Sequence, residues 1–377
     1  MEVFFEQSGV PVNSCILVDD RETALSFPRG DIALGFCSNC GFVSNVAFRK
    51  ELTEYSGRYE ETQAYSGVFN KFHQSLVEDL VSRLHIRNKE VAEIGCGKGE
   101  FLALLCKTGG NRGLGYDPGY DDKRGILNDV DARVVKDFFG EGVGTYDRDF
   151  VACKMTLEHI PVTAPFVKAA REVLKPSSES TVFFQVPESM RILKDCAFED
   201  VYYEHCSYFT PGSLARLFRA QGFDVSRLDI TYGGQYLTLE GAPTMGVPSA
   251  PLAEEESVAE VALQVSDYAA RFRERVGYWQ GIVRDHGKQG PVVLWGSGSK
   301  AVSFLRALDM PGAIEHVVDI NPYRHGHYMP GTGQRIAAPA QLTEIRPRTV
   351  IAMNAIYKDE IARDLTRLGV ETELLAL

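Results

Sequence analysis

The sequence predicts an α/β protein built from two strand–helix units behind a small β-rich lobe. Three observations carry this. A short apolar strand runs directly into clustered glycines and a helix over 91–106. The same strand–glycine–helix order returns over 292–308. Between and after these points, short apolar strands alternate with helical segments, which implies parallel pairing in a covered sheet.

Residues 1–60 read as short strands and turns at 15–18, 32–36 and 41–43. Over 67–85 the pattern turns helical, because Phe69, Phe72, Leu76, Leu80 and Leu84 recur every three or four residues on one face. Strands follow at 91–94, 113–116, 150–153 and 181–186, with helices over 101–106 and 166–174. Residues 242–258 are rich in Pro, Ala and Glu and read as a connection. A polar helix is expected over about 256–287, then strands at 292–295, 316–319 and 349–353 around a helix over 301–308. The expected organisation is a lobe over 1–65, a central unit over 66–245 and a C-terminal unit over 255–377.

Bulk properties narrow the function. Forty Lys and Arg against 51 Asp and Glu leave a net charge of −11. That argues against nucleic acid as a partner, which needs a basic face to neutralise phosphates. A mean hydropathy of −0.14 and the lack of an apolar run near ~18 residues argue against a membrane span. The start, MEVFFEQSGV, has none of the parts of a secretory signal. Eight cysteines in no even framework fit reduced thiols and a cytoplasmic protein. Residues 284–350 hold eight Lys and Arg against five Asp and Glu, so this acidic chain still offers a mildly basic surface to a small anion.

The loop Glu93-Ile94-Gly95-Cys96-Gly97-Lys98-Gly99 lies between a strand and a helix, where glycines let the backbone turn tightly and approach a ligand. Its spacing is E-x-G-x-G-x-G, not the G-x-G-x-x-G of dinucleotide sites. It resembles the first motif of class I S-adenosylmethionine-dependent methyltransferases, whose central sheet is Rossmann-like. The resemblance implies a donor site at Glu93, Gly95, Cys96, Gly97 and Gly99. Asp117, about 20 residues on at the next strand end, is placed to accept from ribose hydroxyls. Asp137 and Phe138 offer a carboxylate for the adenine amino group and a ring to stack on it. Residues 155–160 match the end of the superfamily's fourth strand, with Glu158 and His159 read as structural. The second loop, 296–300, lacks the third glycine of the dinucleotide fingerprint, which argues against a nicotinamide oxidoreductase.

Residues 201–210 are dense in aromatic and ionisable groups. A histidine is well matched to proton transfer near neutral pH, a neighbouring carboxylate fixes its tautomer, and a tyrosine donates to a developing oxyanion. Packing aromatics around a capping histidine fit the same residues. Here the whole chain resembles the nucleotide-sugar C-methyltransferases of deoxysugar biosynthesis. These have an N-terminal zinc-binding segment, a central methyltransferase domain and a C-terminal Rossmann-like domain. The family's Tyr-x-Glu-His-x-x-x-Phe pattern matches Tyr202, Glu204, His205 and Phe209. The resemblance implies that His205 removes a proton beside a sugar keto group, with Tyr202 and Glu204 assisting, before the methyl is transferred to the enolate. It extends to residues 295–300, 318–322 and 329–332, and residues 65–67 resemble the segment that caps the methyl donor.

The chain departs from the family at two places. The family's His-Gly-Gly motif reads Tyr232-Gly233-Gly234 here, and the position of its arginine is Leu237. This leaves O- or N-methylation of another natural-product or polysaccharide precursor as an alternative to carbon methylation of a keto-sugar nucleotide. The zinc site is half present. Cys37-x-x-Cys40 followed by Gly41 turns two thiolates toward one metal, but a structural zinc needs four ligands. The family's other cysteine pair would lie before Met1, and Cys15 is the candidate third ligand. A metal-free lobe with both thiols reduced is the alternative.

Overall fold

A computed structural model describes residues 1–140, 148–177, 179–244 and 246–377. Met245, inside the connection expected over 242–258, lies outside the described residues. No helix among the described residues is long and apolar enough to cross a membrane.

The central sheet has seven strands. From edge to edge they are Phe223–Thr231, Tyr236–Pro243, Thr181–Pro187, Phe150–Lys154, Glu90–Ile94, Arg112–Tyr116 and Ala132–Val135. All neighbours are parallel except Tyr236–Pro243, which runs antiparallel to both of its partners. The strand order reverses between Glu90–Ile94 and Phe150–Lys154, and ligands bind outside the strand ends at such a switch point. Both faces are covered, so successive residues of one strand enter different cores. Val91 packs with Val77, Leu80 and Leu105 of helices Gly67–Arg83 and Glu100–Gly109. Its neighbour Ala92 packs with Val167 and Phe218 of helices Thr163–Val173 and Pro211–Ala220.

The C-terminal sheet is a second, all-parallel one: Ile336–Ala337, His316–Val318, Val292–Trp295, Thr349–Ala352 and Glu373–Ala376. The N-terminal sheet is antiparallel, in the order Glu2–Pro11, Arg29–Phe36, Val43–Asn45 and Ser207–Tyr208. Its last strand comes from the segment that the sequence assigns to the central unit. That short pairing fixes the Tyr202–His205 segment against the lobe.

Four local expectations change. The strand expected at 15–18 is a single bridge between Ile16 and Tyr59, and the preceding Ser14 gives its backbone N–H to the Glu204 carboxylate instead of to a neighbouring strand. Glu2–Pro11, too polar to stand out, is the long strand of the lobe. Helix Gly67–Arg83 buries His73, Val77, Leu80 and Val81, while Phe69 and Phe72 lie at its edge against Tyr232. The helix expected over 256–287 is two, Val258–Val265 and Tyr268–Gly287, split where the Ser266 hydroxyl bonds back to the Leu263 carbonyl.

Candidate active site

The loop at 93–99 opens a cavity of about 490 Å³ at the switch point. Gly95, Gly97 and Gly99 take φ of +67°, +53° and +88°, which side chains rarely adopt. A Cβ on Gly95 would stand 2.0 Å from Thr156 Oγ1, and one on Gly97 2.8 Å from Glu61 Oε1. The glycines therefore hold open a crook that any side chain would fill. Of the expected donor residues, Gly95, Gly97, Asp117, Asp137 and Phe138 line the cavity. Asp117 accepts from Gly97 N at 2.9 Å and Gly119 N at 2.7 Å, so the loop itself aims the carboxylate. Phe138 is 54% exposed and forms the outer wall.

Glu93, Cys96 and Gly99 are not part of that wall. Gly99 caps helix Glu100–Gly109, and Cys96 Sγ fills the space where Gly115 has no side chain. Glu93 lies buried beneath the loop, where burial pushes its carboxyl up to about 8. They shape the loop from below.

The cavity also uses residues the sequence reading left aside. Tyr55, Tyr59 and Glu61 reach it from the N-terminal segment, and Met155 and Thr156 from the end of strand Phe150–Lys154. Met155 has φ +50°, a left-handed backbone at a non-glycine residue. The lone visible signal was the position of 155–160 at a strand end.

A second cavity of about 260 Å³ adjoins the first, and Glu61 and Met155 line both. Its walls come from distant stretches of chain, among them Cys15, Arg191, Tyr202, Lys300, Arg324 and Tyr357. Tyr232 Oη donates to Tyr357 Oη at 2.7 Å, and Tyr357 donates to Gln63 Oε1 at 2.6 Å. Gln235 and Asn354 exchange two amide hydrogen bonds of 2.8 and 2.9 Å. The turn 232–235 thus joins the central and C-terminal sheets at the cavity edge. The mildly basic surface expected over 284–350 contributes Lys300 and Arg324 here, and both are engaged internally. Lys300 and Arg191 share Asp200, while Arg324 donates to Ser297 O and Glu60 O.

His205 lines neither cavity and is buried behind residues that line them. Its ring centroid is 4.1 Å from that of Tyr202, which lines the second cavity, and 4.8 Å from that of His159, which lines the first. Burial holds the His205 imidazole well below its ordinary range, and so leaves it neutral. Glu204 faces the other way. Its carboxylate accepts from Ser14 N at 2.7 Å and Asn13 Nδ2 at 3.0 Å, and from the Ser14 hydroxyl. It anchors the lobe, while its own carbonyl stands 3.1 Å from His159 Nδ1. The carboxylate beside His205 is Glu158, at 4.0 Å from Nε2.

Cys37 and Cys40 are free thiols just after strand Arg29–Phe36. Among the described residues no third His, Cys, Asp or Glu side chain gathers with them. Cys15 Sγ instead lies 3.5 Å from Ser299 Oγ, and Arg216 donates to the Cys40 carbonyl at 2.9 Å.

Residues 69–228 match the methyltransferase domain model, and residues 249–372 match the C-methyltransferase C-terminal domain model. With the glycine crook at the switch point of a seven-stranded sheet, this defines a class I S-adenosylmethionine-dependent methyltransferase, and S-adenosylmethionine is its cofactor. More particularly, the chain is 26% identical over 329 residues to the C-methyltransferase NovU of Streptomyces niveus, covering 81% of this chain and 76% of that protein. It is 30% identical over 108 residues to the ubiquinone biosynthesis O-methyltransferase of Paraburkholderia xenovorans, covering 26% of this chain and 45% of that protein. Among solved structures it is similar to the 1,6-didemethyltoxoflavin-N1-methyltransferase of Burkholderia thailandensis. That likeness is at 19% identity and TM-score 0.39, over 47% of this chain and 80% of that one.

Proposed function

We propose that the chain methylates carbon in a keto-bearing small molecule of natural-product biosynthesis, with a nucleotide-linked keto sugar as the finer reading and His205 as the base. The observation that carries this is a buried, neutral imidazole packed between Tyr202, which lines one cavity, and His159, which lines the adjoining one. Gly95, Gly97, Asp117, Asp137 and Phe138 would hold the cofactor in the larger one. When bound, S-adenosylmethionine supplies an electrophilic methyl group and leaves with the electron pair of its S–CH3 bond. Such a sulfonium needs no acid assistance, so the chain's task is to generate a nucleophile.

His205 accepts the proton from the carbon next to the keto group, and the C–H electron pair becomes the enolate. Tyr202, which lines the second cavity and packs against His205, donates its hydroxyl toward the developing enolate oxygen. Tyr55 and the Glu204 carbonyl hold His159 Nδ1 and fix that ring at the boundary. Residues 232–236 and 354–357 close the acceptor side against water.

A nucleoside-diphosphate keto-hexose incubated with methyl-labelled donor tests the reading directly. Carbon NMR of the product is expected to show a C–CH3 signal, and an O–CH3 signal would overturn carbon methylation. His205→Gln is expected to lower kcat by about 10²–10⁴-fold, the range removed with a general base. Donor affinity should stay within about twofold, and full turnover would refute the base assignment.

The altered 232–237 segment and the pairing of Lys300 and Arg191 with Asp200 favour a second reading, an acceptor without a diphosphate. A lower KM for the free keto sugar than for its nucleotide form would select it.

A further inference from the structure

One buried carboxylate is unused by this mechanism. Glu158 lies in the turn Leu157–His159 with none of its surface exposed. Apart from a contact with its own backbone N–H, neither carboxylate oxygen has a hydrogen-bond partner among the described residues. An isolated buried carboxylate is costly, and a fold that keeps one needs a reason for it. Its nearest cation-forming group is His205, with Oε1 at 4.0 Å from Nε2. The ligand-bearing atoms of Glu158, His159 and His205 all lie within 4.8 Å of one another.

We propose that Glu158 is the positioning residue that holds the charge on His205, offsetting the imidazolium formed each time the acceptor is deprotonated. This deepens the function proposed above and rests on it. The proton leaves the acceptor carbon and enters the His205 ring, while the C–H electron pair stays on the enolate. The ring gains one positive charge in a site that disfavours charge. An ionised Glu158 at 4.0 Å offsets part of that penalty, and in its absence His205 remains a weaker base. When His205 later gives the proton to water, the site returns to its starting state.

The surroundings leave this task to Glu158. Around the pair stand Tyr55 of the lobe, Cys153 of the central sheet, Tyr202 and Cys206 of the His205 segment, and Tyr236 of the antiparallel strand. Burial raises the pKa of each, so all are neutral near pH 7. His159 is held below its ordinary range and is neutral too. Two charged groups remain. Glu204 is spent on Asn13 and Ser14, and Lys300, which opposes protonation of His205, is paired with Asp200. Burial raises the Glu158 carboxyl to about 8, so the fraction able to hold the imidazolium grows as pH approaches that value.

Two measurements on the full chain bound to S-adenosylhomocysteine test this. Ring signals of ¹⁵N-labelled His205, assigned with His205→Gln, are expected to shift as pH rises through about 8. Glu158→Gln should abolish the shift and Glu158→Asp should retain it. A shift that persists in Glu158→Gln, or is missing from the wild type, overturns the proposal. With the nucleoside-diphosphate keto-hexose, Glu158→Gln should lower kcat roughly 10²-fold or more and flatten its rise with pH, at unchanged donor affinity. An inactive His205→Gln beside a Glu158→Gln of wild-type profile would remove Glu158 and leave the base reading standing. An active His205→Gln would remove the base reading whatever the NMR shows.

Discussion

The two parallel sheets begin with the same device and use it oppositely. In each, a strand leads through glycines into a helix, and the next strand ends in an aspartate, Asp117 in one and Asp319 in the other. In the central sheet three glycines are left-handed, and the aspartate accepts from the backbone N–H groups of Gly97 and Gly119. In the C-terminal sheet only Gly296 is left-handed, and Ser297 occupies the crook. Asp319 accepts from Ser297 N at 2.8 Å, Ser297 Oγ at 2.6 Å and Asn321 N at 2.8 Å. Arg324 seals the same serine through its carbonyl. The first loop opens on the larger cavity, whereas the second, whose Gly296, Gly298 and Asp319 line the smaller cavity, holds Ser297 against its aspartate. Shared architecture therefore does not carry shared function, and the partners of the aspartate separate the two.

The largest effects should come from the glycines. Gly95→Ala combines a left-handed backbone with a Cβ 2.0 Å from Thr156 Oγ1. We expect about 2–4 kcal/mol of destabilisation and donor affinity reduced by more than about 100-fold. Gly298→Ala is its counterpart. With φ −79° and no atom within 4 Å of an added Cβ, it should change stability by less than about 0.5 kcal/mol and donor affinity not at all. Calorimetric titration with S-adenosylhomocysteine and denaturant melts measure both. Equal losses in the two variants would erase the distinction.

The aspartates come next and should exchange their effects. Asp117→Asn removes the charge aimed into the donor cavity and should weaken donor binding about tenfold or more, the value of a charge-assisted hydrogen bond. Asp319→Asn leaves three internal donors on a neutral acceptor and should cost about 1–3 kcal/mol of stability with donor affinity intact.

What the sequence made legible follows the same division. The glycine loop is local, since its strand, glycines and aspartate lie within one stretch of chain, and their spacing alone implies the crook. The second cavity is built from Cys15, Arg191, Lys300 and Tyr357, which nothing local relates. Glu204 and Glu158 show the limit most clearly. Glu204 adjoins His205 in the chain but turns to Asn13 and Ser14, whereas Glu158, 47 positions away, faces it. Sequence adjacency says little about where a carboxylate points at a turn. The lobe was misread for a related reason. The apolar run at 15–18 packs as a connection, while Glu2–Pro11 interleaves polar residues with the core residues Phe5 and Val10 and pairs with Arg29–Phe36.

A smaller effect separates the sheets by pH. Glu93 and Glu158 are buried carboxyls of the central unit, both raised to about 8. Between about pH 6.5 and 8 the folded protein keeps protons on them that the unfolded chain, with ordinary carboxyls, has already released. The unfolded state then binds fewer protons, so the stability from these groups, complete below about pH 4.5, is lost as pH rises toward 8. The histidines do not offset it, because the buried His73, His159 and His205 are held below their ordinary range, and unfolded histidine is largely neutral above pH ~6.5. We expect the unfolding free energy to fall by on the order of 1–3 kcal/mol across that window. Hydrogen exchange, corrected for its intrinsic rate, should show the loss in Glu90–Ile94 and Phe150–Lys154 and much less in Val292–Trp295. Glu93→Gln should reduce the slope, since its neutral amide has no proton to lose. If the slope instead appears equally in both sheets, the two units unfold as one, and the contrast between them belongs to ligand binding alone.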